Sequence, residues 1–330
     1  TYWLIGHLTS QFKKQGVWQL LPDELTTYLT TLDDVYSQRS QAILQEVIYV
    51  CDLLAPIAPQ LVLLKGSAAL FNGIAEPIST RYMADIDILV PAEKLDMSLN
   101  TLVTNGYALD VNDASISTTD FHHAPPAIRK NGPCYIELHR RPLVNSLTNI
   151  LSSQEALSTA ISLTLTDDLL VQQMHPTQQL IHTIAHSELQ DKGFDEAHID
   201  LRQLLNFYLI AKRFASQICW RTVEERFVST AHSEVLNAMV FHANKLFGLP
   251  IYMQNFEQIK GQSQYLSSIQ NFTKTELSPA SMDSFRSVLQ GYSKATIINL
   301  YGSKGHFAIL RGRLKHFKRH LIMLLKGNRP

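Results

Sequence analysis

The sequence predicts an α+β protein, a small mixed sheet with helices before it and a helical region after it. A short apolar run at residues 61–64 leads into Lys65-Gly66-Ser67 and a small-residue segment, the order of a strand, a turn and a helix start. Residues 84–90 alternate acids with aliphatics at strand period. On both sides of this segment apolar residues recur at helical spacing. The chain divides accordingly into an N-terminal helical segment (1–55), an α/β core (56–145) and a helical region (146–330).

In order, residues 18–22 end a short element. Residues 31–54 carry Val35, Ala42, Ile43, Val47, Ile48, Cys51 and Leu54 close to a helical repeat, stopped by Pro56 and Pro59. This helix is expected on the back of the sheet. Residues 91–104 fit a helix ending at Asn105-Gly106, and 107–111 a short strand. A polar loop at 113–120 follows. Residues 129–133 read as a turn, so 134–140 should be the return strand of a hairpin. On it Tyr135, Glu137 and His139 face away from Cys134, Ile136 and Leu138. From about residue 154 nearly everything reads as helix: one opened by Pro176, then 196–214, 220–229 and 233–247, the last ended by Gly248 and Pro250. Residues 251–292 are less periodic.

The chemistry concentrates between residues 65 and 90. The first N–H groups of a helix lack intrahelical partners, and glycine lets a ligand approach the main chain, so Lys65-Gly66-Ser67 is a candidate phosphate site. Alternation puts Asp85 and Asp87 on one strand face, opposite Ile86, Ile88 and Val90. Two neighbouring carboxylates repel unless a cation lies between them, and a divalent metal is the usual answer.

A Gly-Ser turn followed by an Asp-x-Asp strand resembles the signature of the DNA polymerase beta-like nucleotidyltransferase superfamily. With Arg81 four residues before Asp85, the segment is most similar to the uncharacterised nucleotidyltransferases often associated with bacterial polysaccharide loci. The resemblance implies a Mg²⁺-dependent enzyme with two ions, or Mn²⁺ in their place, which moves a nucleoside monophosphate from an NTP to an acceptor. Asp85 and Asp87 would be metal ligands, and Glu137, in a matching Glu-Leu-His run, the third catalytic acid; its other reading is a salt bridge to Arg140 or Arg141. Lys65, Gly66, Ser67 and Arg81 would hold the nucleotide. The acceptor stays open between a saccharide or sugar phosphate, an antibiotic-like small molecule and a protein, as does a nucleotide-binding protein without chemistry. Residues 200–206 also resemble a family helix, with Asn206 where Asp is common.

His122, His123 and His139 fall beside Glu137 and are candidate substrate contacts, as are His182 and His186, one helical turn apart. The acid of an H-E-x-x-H motif is missing between the last two, which excludes a zincin. Lys and Arg total 29, as do Asp and Glu, yet residues 302–330 hold no acid. The tail at 307–325 mixes basic and large apolar residues, the pattern of a helix packed on the body or resting on a membrane surface, with nucleic-acid contact behind both. Three scattered cysteines fit a reducing cytoplasm, and no apolar run is of membrane-spanning length. The expected location is cytoplasmic, with the inner-membrane periphery left open by the tail. The chain opens without a methionine, so a missing native start is expected.

Overall fold

The long apolar stripe near the start of the chain becomes a single helix. In the computed structural model, which describes residues 4–110 and 122–276, α1 spans Ile5–Lys14 and α2 spans Asp23–Leu54. α2 starts earlier than its apolar repeat, because residues 23–31 contain neither Gly nor Pro and place Asp23 and Glu24 at the positive end of the helix dipole. It ends ahead of Pro56.

A seven-stranded mixed sheet follows. Its strands are β1 (Val62–Leu63), β2 (Asp85–Leu89), β3 (Tyr107–Leu109), β4 (Ala127–Arg129), β5 (Tyr135–His139), β6 (Ile161–Thr166) and β7 (Leu169–Gln173), in the order β3-β4-β5-β2-β1-β7-β6. β2 runs parallel to β5 and antiparallel to β1. The β2/β5 register pairs Asp85 with Tyr135, Asp87 with Glu137 and Leu89 with His139, which sets Asp87 and Glu137 side by side.

The expectation of helix from residue 154 onward is corrected here. Ile161, Leu163 and Leu165 alternate with Ser162, Thr164 and Thr166, and Asp167-Asp168 turns the chain into β7. β7 then pairs in parallel with β1, so the sheet draws strands from beyond residue 145.

Helices cover both faces. α2 and α4 (Leu95–Thr104) pack on Leu61, Leu63, Ile86, Ile88, Val90, Ile136 and Leu138, the face turned away from the aspartates. On the other face α5 (Ser153–Ser158), α6 (Pro176–Ile184), α7 (Leu201–Arg213), α8 (Trp220–Ser229) and α9 (Ser233–Phe247) gather around Val62, Leu64, Leu89 and Met174. Gly248, at φ +70°, closes α9 in the left-handed conformation typical of a helix C-terminus. α7 starts at Leu201, later than expected, because Asp200 caps it: its Oδ1 accepts from the N–H groups of Arg202 and Gln203 at 2.9 and 3.3 Å.

α10 (Gln258–Glu276) makes regular helix of part of the segment expected to be irregular. Residues 1–266 and 267–330 are separate compact units, and of the second only the end of α10 is described. The loop at 113–120 and the basic tail at 307–325 lie outside the described residues. Among the described residues no helix is long and apolar enough to cross a membrane.

Candidate active site

The β1–α3 turn and the β2/β5 pair build the site, α3 being the short helix Lys65–Ala69. Lys65 takes φ +45°, a left-handed conformation that costs a non-glycine residue about 1–2 kcal/mol. Its Nζ donates to Asp87 Oδ1 at 2.9 Å. His139 Nε2 donates to the same oxygen, also at 2.9 Å, and lies 3.6 Å from Glu137 Oε2. Asp87, Glu137 and His139 each offer a ligand atom within 4.8 Å of the others, a cluster able to coordinate one metal ion. Asp85 stands outside that triplet, two residues along the same strand face.

The cations in direct contact with the acids are Lys65 and His139, which reach Asp87 and Glu137, while Arg81 and Arg202 act on Asp85 only through space. Burial alone would raise the Asp87 pKa, but Lys65 and His139 hold it far below the usual carboxylate range. Glu137 is also lowered, its burial outweighed by His139. Asp85 is pushed up to about 6, first by burial and then by Asp87 and Glu137. Lys65 and His139 are both raised: burial opposes their charge, and Asp87 overcomes it. A hard divalent cation fits this donor set, because it would supply the positive charge that the acids lack.

Ser67 sits deeper than a phosphate-binding serine would. It is fully buried, its Oγ accepts from the Asp87 N–H at 3.0 Å, and its own N–H donates to Leu64 O. The hydroxyl thus ties the turn to the strand that carries the acids. Gly66 has a packing reason: a Cβ there would lie 2.9 Å from Met83 Sδ and 3.0 Å from Arg81 Nε. Arg81 crosses this bare backbone and reaches α7, where its Nη1 is 3.4 Å from Asn206 Oδ1.

The five histidines converge. The rings of His122, His123 and His139 lie 4.7–5.4 Å apart, and those of His182 and His186 5.7 Å. Burial and then neighbouring His139 lower His122 to about 3, while burial and His186 lower His182. These two rings are therefore neutral near pH 7. His182 is anchored, donating through Nε2 to Pro142 O at 2.8 Å, and lines a hollow with Lys65, Gln179 and Thr183. His186 Nδ1 lies 3.0 Å from Asp191 Oδ2. The sequence reading placed His139 as a substrate contact, whereas the structure sets it among the possible ligands; the Glu-x-His spacing on one strand face was the available signal. Arg202 had no such signal, since only the fold carries it near Arg81 and Asp85.

No curated protein matches the chain. A family model described as uncharacterised nucleotidyltransferase matches residues 3–248, which among the described residues include every strand and α1 through α9. An N-terminal helical pair, a mixed sheet bearing an Asp/Glu/His cluster and a helical wall beyond it accord with that match, and the chain belongs to this family of enzymes within the DNA polymerase beta-like superfamily.

Proposed function

We propose that the protein transfers a nucleoside monophosphate from an NTP to a small-molecule acceptor, with Asp85, Asp87 and Glu137 as the catalytic acids and two Mg²⁺ ions, or Mn²⁺, as cofactor. The observation that carries this reading is the converging carboxylate set at the β2/β5 pair, short of positive charge and joined by His139. Asp87, Glu137 and His139 would hold one ion, and Asp85 would contribute to the other. Bound there, the ions would neutralise the triphosphate and lower the pKa of the acceptor hydroxyl.

The protein's own groups have separate tasks. Before an ion binds, His139 Nε2 holds the Asp87 carboxylate by a hydrogen bond, and as a ligand the imidazole would give up that proton. Lys65 can exchange Asp87 for a phosphate oxygen of the donor, its side chain being about a quarter exposed. The Gly66–Ser67 turn keeps Lys65 and β2 in register for that exchange. In the transfer the acceptor oxygen bonds to the α-phosphorus as the bond to the bridging oxygen of the β-phosphate breaks, releasing pyrophosphate and the hydroxyl proton. The free state of all three cysteines accords with a cytoplasmic location.

The test is calorimetric titration of each NTP with and without Mg²⁺, on wild type and on Asp85→Asn/Asp87→Asn, together with pyrophosphate release. Metal-dependent NTP binding lost in the double variant is the expected outcome. Absence of NTP binding in folded wild type would reject the reading.

A further inference from the structure

Of the five histidines expected to contact substrate, the fold gives one a different neighbourhood. His139 is 1% exposed on β5, and its Nε2 stands 2.9 Å from Asp87 Oδ1 and 3.6 Å from Glu137 Oε2. The β2/β5 register sets the two acids side by side, and strand alternation returns His139 to their face two residues on. Neighbouring ligands around an ion with bonds of about 2.1 Å lie about 3 Å apart, so one nitrogen and two carboxylate oxygens stand near ligand-to-ligand spacing.

A nitrogen in such a set discriminates between ions. Mg²⁺ takes oxygen ligands in near-ideal octahedral geometry and keeps several waters, whereas imidazole suits the first-row transition ions. Asp87 is 2% exposed and His139 1%, so water has little access to the place the nitrogen holds. The Glu137 side chain is 21% exposed, which leaves that side of the cluster to waters or substrate oxygens.

The other histidines narrow the choice of ion. The rings of His122 and His123 are each 5.4 Å from that of His139, His182 donates to Pro142 O, and His186 lies beside Asp191. Among the described residues no second set of three histidine, cysteine or acidic side chains comes as close together, and the one set contains no thiol. Two carboxylates and a single imidazole are therefore not the nitrogen- and sulfur-rich surroundings of a structural zinc. They suit Mn²⁺, which accepts oxygen and nitrogen alike.

We propose that the ion held by Asp87, Glu137 and His139 is Mn²⁺ in preference to Mg²⁺, with His139 Nε2 as the ligand that discriminates between them. The ion's part in catalysis rests on the nucleotidyltransferase reading above. Its binding is tested without nucleotide.

The experiment is calorimetric titration of Mn²⁺ and of Mg²⁺ into nucleotide-free wild type and His139→Asn, with thermal melts to establish folding. Pulsed electron paramagnetic resonance of Mn²⁺-loaded wild type accompanies it, since a directly bound imidazole appears as nitrogen coupling. Wild type should bind Mn²⁺ more tightly and show that coupling. In folded His139→Asn the coupling should vanish and Mn²⁺ affinity fall about 10–100-fold, with Mg²⁺ affinity changed less than about threefold. Equal loss of both ions would overturn the proposal, as would wild type that binds no Mn²⁺. Absence of nitrogen coupling in wild type would also overturn it, and that result is readable even where the variant fails to fold. None of these outcomes removes Mg²⁺-dependent NTP binding or pyrophosphate release. Nitrogen-coupled Mn²⁺ in a protein that binds no NTP would keep the metal preference and reject the nucleotidyltransferase reading, so the two failures are distinguishable.

Discussion

Asp87 and Glu46 are two carboxylates in nearly equal burial, 2% and 1% exposed, with opposite surroundings. Glu46, on α2, accepts from the Tyr107 hydroxyl at 2.5 Å and from Arg129, which also lies over the Tyr49 ring. One acid meets one guanidinium and one hydroxyl, and the charge closes. Asp87 is bonded to Lys65 and His139, yet Asp85 and Glu137 crowd the same face and the charge stays open. Burial alone therefore does not mark a functional acid. The imbalance around it does.

The largest effect should come from the open network. Asp87→Asn is expected to cut metal-dependent pyrophosphate release by at least about 10³-fold, equivalent to about 4 kcal/mol of transition-state stabilisation. Urea unfolding should show a small stability change, since the variant keeps the bond to Ser67 and still leaves Lys65 beside two acids. Activity near wild type would place Asp87 with Glu46, as a structural acid. His139→Asn should weaken Mn²⁺ binding, read by calorimetry or electron paramagnetic resonance, by about 10–100-fold. Unchanged affinity would reduce His139 to packing.

The closed network should behave in the reverse way. Glu46→Leu strands the Tyr107 hydroxyl in the core and should cost about 1–3 kcal/mol in urea unfolding, with activity per folded molecule unchanged. Arg129 limits the loss because its side chain is 41% exposed and can return to water.

Glu188 extends the comparison to an acid held mainly by a hydroxyl. Burial first, with Asp200 and Asp191, pushes it up to about 7 despite the Ser187 hydroxyl that donates to it. A carboxyl whose folded pKa lies above its unfolded value stabilises fully below the unfolded value and loses that contribution as pH rises through about 7. Glu188→Gln should therefore be more stable than wild type at pH 8, on the order of 1 kcal/mol, with the gap closing toward pH 5. A gap independent of pH would show that Glu188 stays charged in the folded protein.

Local pattern sufficed for β2, for the faces of β5, for α8 and α9, and for the order turn, Asp-x-Asp, Glu-x-His. Each depends on period or on a cap within a few residues, which a sequence displays directly. The β6–β7 hairpin also carried its alternation, but helical patterns on both sides masked it. What no local pattern holds is a partner distant in the chain. Ser67 is committed to the Asp87 N–H, Gly66 makes room for Arg81, and Arg202 comes from α7 to share a hollow with Arg81. The sequence determined which chemical groups are present and which strand face they share. The tertiary structure decided which charges are compensated and which remain open, because Coulomb and hydrogen-bond energies depend on separations of a few ångströms between residues far apart along the chain.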